Sequence, residues 1–176
     1  MTELILVDEN DFPVGKMEKM EAHEKGLLHR AFSVFIYNKK GEMLLQQRAS
    51  NKYHSPNLWS NACCSHPMPG EDTIDAAHRR LHEELGFDTE LTPLFQFIYK
   101  KEFDNGLTEY EYDHVFVGTY DGTIHPNPVE VKDYCFKNPI AIKENLEQYE
   151  HKYSYWFNVA FNKLEDHYQE SHLVHQ

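Results

Sequence analysis

The stretch "SHPMPGEDTIDAAHRRLHEELGF", Ser65–Phe87, decides how this chain is read. Asp72 or Thr73 can cap a helix and Gly86 can end it, so a helix is expected over about Thr73–Leu85. Ile74, Ala77, Leu81 and Leu85 fall at i, i+3, i+7 and i+11 and make one buried stripe. Arg80 and Glu84 share a flank of that stripe, and Glu83 lies farther round, toward solvent. From Arg79 the segment has the form Arg-x-Leu-x-Glu-Glu-x-Gly-apolar, with Glu71 eight residues earlier. "HEELG" alone is the ordinary look of a solvated acidic helix face. The full spacing from Glu71 to Phe87 outweighs that reading.

Just upstream, "NACCSHP" (Asn61–Pro67) ends a long Pro- and Asn-bearing segment, Ala49–Asp72, read as a loop. Loops this long in a compact domain are usually functional. Adjacent Cys63 and Cys64 are poorly placed to bridge each other. Cys64 sits beside His66 in a polar loop ahead of a helix, a setting that favours a thiolate. A cysteine is also a common small buried hydrophobe, and this stretch alone leaves the two readings even.

Farther out, "LILVDENDFPVGK" begins as a strand and passes into an acidic turn. Apolar Ala31–Tyr37, a turn at Asn38–Gly41 and a second run at Glu42–Gln47 read as a hairpin. Both faces of its first strand are apolar, so that strand is expected at the centre of a sheet. Two strands follow, joined at Asp104–Gly106, then a strand near Asp133–Phe136 and two helices, the second with Trp156 near its start. This order predicts an α/β (α+β) fold, a mixed β-sheet flanked by helices.

The chain has 176 residues, 40% of them hydrophobic and 14% aromatic, which suits one globular domain. A formal charge of −12 opposes general binding to a phosphate backbone, so no nucleic acid is expected as partner. No apolar run approaches the roughly 20 residues of a membrane span, and the N-terminus lacks the pattern of a signal peptide. Three cysteines do not make a disulfide framework. A cytoplasmic protein with no membrane partner is expected, with a monomer as default.

Ser65–Phe87 resembles the Nudix box, the loop–helix–loop signature of enzymes that act on diphosphate compounds. Glu71, Arg79, Leu81, Glu83, Glu84, Gly86 and Phe87 match it. Ser65 stands where the family usually has Gly, and Arg80 where it has the first Glu of its core. In Nudix hydrolases the helix carboxylates hold divalent ions that activate water. A guanidinium in place of one carboxylate removes a metal ligand and adds a fork suited to phosphate oxygens. The box looks converted from cutting a diphosphate to holding one.

Over the whole chain, "KMEKMEAHEKGLLHRAFSVFIYN", "LLQQR", "NACCSHP", "RRLHEELG", "EYEYDHVF" and "SYWF" occur in that order. Together they closely resemble the type I isopentenyl-diphosphate isomerases, a family built on the Nudix fold. The resemblance implies one Nudix-type domain over 1–176 with its box at 65–87. It also implies interconversion of isopentenyl and dimethylallyl diphosphate, in isoprenoid biosynthesis, through a tertiary carbocation. Such a reaction needs an acid/base on each side of the substrate, a dry pocket, a cation-tolerant wall and a diphosphate clamp.

The family's catalytic cysteine matches Cys64 and its catalytic glutamate matches Glu111. Its site tyrosine matches Tyr99, and the tryptophan facing the carbocation matches Trp156. A cation over such a ring gains on the order of 2 kcal/mol when desolvated. The family's three-histidine, two-glutamate metal site matches His23, His29, His66, Glu109 and Glu111. Mg or Mn is implied there, with Zn a known type of occupant. A second Mg at the diphosphate matches Glu84, and basic contacts match Lys19, Arg48, Lys52 and Arg80. His151, His167, His172 and His175 are expected at the surface.

Two other classes compete. A Nudix hydrolase would release phosphate, but it leaves Cys64, Glu111 and Trp156 without roles. A non-catalytic binding domain would take up ligand without turnover, but it does not need both acid/base residues and all five metal ligands.

Overall fold

The structure, a computed structural model, describes residues 2–174. His175 and the side chain of His172 lie outside what it describes; His151 is exposed and His167 half-buried. The chain opens with an antiparallel pair, β1 (Glu3–Val7) and β2 (Pro13–Glu18), then a short helix, α1 (Lys19–Lys25). There follow β3 (His29–Tyr37), β4 (Met43–Arg48), β5 (Trp59–Ser60), β6 (Cys63–Ser65) and helix α2 (Thr73–Leu85). Long strands β7 (Thr92–Glu102) and β8 (Thr108–Thr119), then β9 (Val131–Lys137), complete the sheet. Helices α3 (Pro139–Gln148) and α4 (Tyr155–Val174) close the described chain.

β3 is central, as its two apolar faces predict. Phe32, Val34 and Ile36 pack on Ala77, Leu81 and Leu85 of α2. Phe35 packs on the other side with Ile142 of α3 and Phe157 and Phe161 of α4. Alternation along the strand thus builds two cores from one run, with the sheet covered on both faces. α2 spans the expected residues, and Gly86 ends it at φ 71°. A Cβ there would also stand 2.7 Å from the backbone oxygen of His125, so glycine is needed twice over.

The expected hairpin of β3 and β4 is only half right. The two strands pair at Tyr37↔Met43 and then part. β8 runs parallel along one edge of β3, from His29↔Glu111 to Tyr37↔Thr119. The other edge is shared by β1 at His29, β6 at Phe32–Val34 and β4 at Tyr37. β6 therefore lies where the hairpin partner would have continued, and β4 pairs with β9 and β5 instead. β5 and β6 also correct the reading of Ala49–Asp72 as plain loop. α1 was not expected either: Glu18 caps it by accepting from the backbone N–H of Glu21, and Gly26 ends it at φ 63°.

Candidate active site

Glu109 and Glu111 alternate along β8 with Tyr110 and Tyr112, so both carboxylates face one way. The parallel register sets His29 beside Glu111, and the antiparallel one sets Tyr99 of β7 on its other side. His29 Nε2 lies 3.2 Å and His66 Nε2 2.8 Å from the same oxygen, Glu111 Oε2. Tyr99 donates its hydroxyl proton between Glu111 and Glu109 Oε2, the latter at 2.8 Å. One turn of α1 separates Lys19 from His23, whose Nε2 lies 3.9 Å from Glu109 Oε1. The five residues matched to the metal site are thus brought together from α1, β3, β8 and the segment after β6.

Their chemistry fits a divalent ion. His23 Nδ1–H donates to Lys19 O at 2.6 Å and His29 Nδ1–H to Leu27 O at 2.9 Å. Such bonds fix a ring with Nε2 turned inward, as in metal-bound histidines. His23 Nε2 is buried with no hydrogen-bond partner. Donor atoms of His23, His29 and His66 lie within 4.8 Å of one another. Burial opposes ionisation of Glu111, but the bonds from His29 and His66 outweigh it and hold the carboxyl well below the usual range. Burial pushes His66 down to about 4. It pushes His29 down too, but Glu111 prevails and the net shift is upward; both its nitrogens face acceptors.

β6 delivers the cysteines. Ser33 pairs with Cys64 and Val34 with Cys63, so the two thiols leave opposite faces of the strand. Cys64 Sγ–H donates to Asn61 Oδ1 at 3.0 Å and lies 3.5 Å from Ser33 Oγ. Burial, aided by the nearby Asp113, pushes this thiol well above its ordinary value. Of the two readings the sequence leaves even, burial favours the protonated thiol over the thiolate. Cys63 Sγ–H donates to Glu84 Oε2 at 2.6 Å, which gives the second cysteine a role in orienting that carboxylate.

Cys64, Glu111, Tyr99 and Trp156 line one cavity with Glu84, Lys19, Arg48, Lys52 and Arg80. Four cations converge there in a chain of net charge −12. Burial and the neighbouring Lys52 and Arg48 lower the pKa of Lys19, a mark of positive charges crowded for an anion. Lys52 and Arg80 both reach Glu130, Arg80 at 3.4 Å, and Arg80 also meets Glu83 at 2.6 Å and Glu84 at 3.5 Å. The Arg48 guanidinium stacks 4.9 Å from the Trp156 ring centroid, so this ring already accepts a cation on its face.

Sequence reasoning missed His54, Asn61, Asp113 and Glu130. Asp113 extends the alternation of Glu109 and Glu111 by one step, a signal that was available. Asn61 lies three residues before Cys64, inside the quoted motif. Glu130 and His54 carried no signal, since each meets the site only through tertiary packing.

A model of the NUDIX domain matches residues 27–159. The chain is 49% identical over 169 residues to the isopentenyl-diphosphate Delta-isomerase of Pectobacterium atrosepticum, covering 96% of this chain and 94% of that one. It is 48% identical to the Burkholderia multivorans isopentenyl-diphosphate Delta-isomerase, covering 91% of each. In fold it resembles a crystal structure from Deinococcus radiodurans, with TM-score 0.70 and 22% identity over 84% of this chain and 90% of that one. A MutT protein from Methanosarcina mazei is likewise similar, with TM-score 0.65 and 18% identity over 79% and 94%. With a Nudix box on α2, its first helix glutamate replaced by arginine, and relatives this close over nearly their whole length, the chain belongs to the type I isopentenyl-diphosphate Delta-isomerase family of the NUDIX domain proteins.

Proposed function

We propose that this protein interconverts isopentenyl and dimethylallyl diphosphate. The observation that carries the reading is the single cavity lined by Cys64, Glu111, the Trp156 ring and four cations. The family model's span and the pairing of β1 with β3 support one domain. No helix among the described residues is long and apolar enough to cross a membrane. A monomer in the cytoplasm, with neither nucleic acid nor membrane as partner, belongs to the same proposal.

Burial favours the Cys64 thiol and hydrogen bonds favour the Glu111 carboxylate, so the pair would offer the substrate a donor and an acceptor. One adds a proton to the alkene and the other removes one from a neighbouring carbon. In the reverse direction they exchange roles. Tyr99, bonded to both carboxylates, holds the Glu111 oxygen in place. Lys52 and Arg80 would exchange Glu130 for diphosphate oxygens as substrate binds. The bound diphosphate would then help exclude the water that captures the cation. Mg or Mn, with Zn a further candidate, held by His23, His29, His66, Glu109 and Glu111 would fix Glu111 and keep it ionised, and Mg on Glu84 would neutralise diphosphate charge.

Trp156 would stabilise the tertiary cation through its ring face. Trp156→Phe is expected to retain more turnover than Trp156→Leu at saturating substrate. Equal losses in both would make the ring a packing element only.

The function itself is tested by proton NMR of isopentenyl diphosphate with protein and Mg in heavy water. Dimethylallyl diphosphate carrying deuterium is the expected product. Unchanged substrate with metal bound would overturn the proposal, and phosphate release would point to a hydrolase.

A further inference from the structure

Asn61 lies between β5 and β6 and is fully buried. Its Nδ2 donates to Val34 O at 2.9 Å and to Cys63 O at 3.0 Å. Carbonyl oxygens can only accept, so these two bonds fix which way round the amide sits and turn Oδ1 to the other side. That oxygen accepts the Cys64 Sγ–H and the Ser60 hydroxyl, each at 3.0 Å. The thiol's contact with Ser33 Oγ is longer, at 3.5 Å, and the Ser33 proton is committed to Asp113 Oδ2 at 2.7 Å. Ser60 Oγ in turn accepts from Ser154 Oγ at 3.2 Å. Ser154 Oγ accepts the backbone N–H of Phe157 at 3.3 Å, in the first turn of α4, where Trp156 also stands. Cys64 and Trp156 line the cavity, whereas Ser60, Asn61 and Ser154 are buried behind it.

We propose that Asn61 is a positioning residue: it holds the Cys64 thiol in one rotamer and, through Ser60 and Ser154, ties that rotamer to the turn of α4 that carries Trp156. The amide is anchored to β3 at Val34 and to β6 at Cys63, so Oδ1 has no freedom to follow a wandering sulfur. A reacting group locked by buried neighbours meets its target without first being ordered. Acid and cation-facing ring are thereby placed by one hydrogen-bonded chain. Asn61 bonds to none of Lys19, Arg48, Lys52 and Arg80, so diphosphate affinity does not depend on it. The inference rests on the proposed isomerase reading for its link to turnover, while the rotamer itself is read without substrate.

Protein carrying isotope-labelled cysteine gives NMR Hα–Hβ couplings for Cys63, Cys64 and Cys135. Cys64 is expected in one staggered rotamer in the unaltered protein and averaged over several in Asn61→Ala, with Cys135 unchanged as control. With isopentenyl diphosphate, kcat is expected to fall by up to about 10²-fold at an unchanged KM. A merely weakened loop would lower the thermal melt and leave the kcat of the folded protein alone. Asn61→Ser serves if the alanine variant does not fold: its shorter hydroxyl can donate to one carbonyl but cannot reach the thiol, and the same two results are expected. A single Cys64 rotamer persisting in the variant, or an unchanged kcat, would overturn the inference. No turnover by the unaltered protein would instead overturn the isomerase reading, and the couplings would still decide whether Asn61 holds the thiol.

Discussion

Replacing Cys64 with alanine is expected to lower isomerase turnover by about 10²- to 10⁴-fold, the usual contribution of a positioned acid/base, while the fold survives. The substitution removes one sulfur from a half-buried position on a short strand, and the backbone pairing of β6 with β3 does not depend on it. Asn61 Oδ1 loses the thiol donor but keeps the Ser60 hydroxyl at 3.0 Å. Asn61 Nδ2 still donates to Val34 O and Cys63 O, so the loop stays anchored. Turnover read by product NMR, beside a thermal melt, separates chemistry from folding. Full activity in the variant would take the thiol out of the mechanism.

Glu111→Gln is expected to do more, because the proposed mechanism gives Glu111 two purposes. Glutamine has nearly the same shape, so a loss reports chemistry and not volume. Its amide leaves one acceptor for three donors, His29, His66 and Tyr99, where the carboxylate satisfies all three. Burial without charge compensation then raises the cost of a protonated His29. Turnover should fall by about 10²- to 10⁴-fold. Affinity for Mn or Zn should fall by at least about 10- to 100-fold, the range seen when even an outer partner of a ligand is lost. Metal affinity read by competition with a chromophoric chelator separates the two. Lost affinity with full turnover at saturating metal would restrict Glu111 to holding the ion.

Local pattern made much of this legible. α2 was readable to its ends because cap, stripe and glycine stop all lie within one segment. The central place of β3 followed from its two apolar faces. What was hidden depended on partners distant in sequence. The wedge of β6 against β3 cannot be read from "NACCSHP", which carries no strand periodicity and takes strand form only because β3 offers an open edge. The seven residues of α1 are held by a capping glutamate and by packing, too short for a helical pattern to stand out. The two readings of the thiol stay even in the sequence for the same reason: the motif shows a histidine nearby but not the burial, nor Asp113 from β8. Residues matched through the resemblance lie near one another in the structure, whereas His54 and Glu130 enter only through the tertiary arrangement.

The parallel pairing of β3 with β8 has a further consequence, for the order in which the molecule is made. His29 and Glu111 are partners 82 residues apart, and most of the sheet lies between them in the chain. Non-local pairings of this kind form slowly, since loop closure must precede any gain from contact. During synthesis the N-terminal histidines leave the ribosome long before their carboxylates, and Trp156 follows later still. An ion at the proposed centre could not template the early chain, because Glu109 and Glu111 do not yet exist. The site is a late product of the fold, and a nascent chain stopped before β8 carries its histidines and thiols without Glu109 and Glu111.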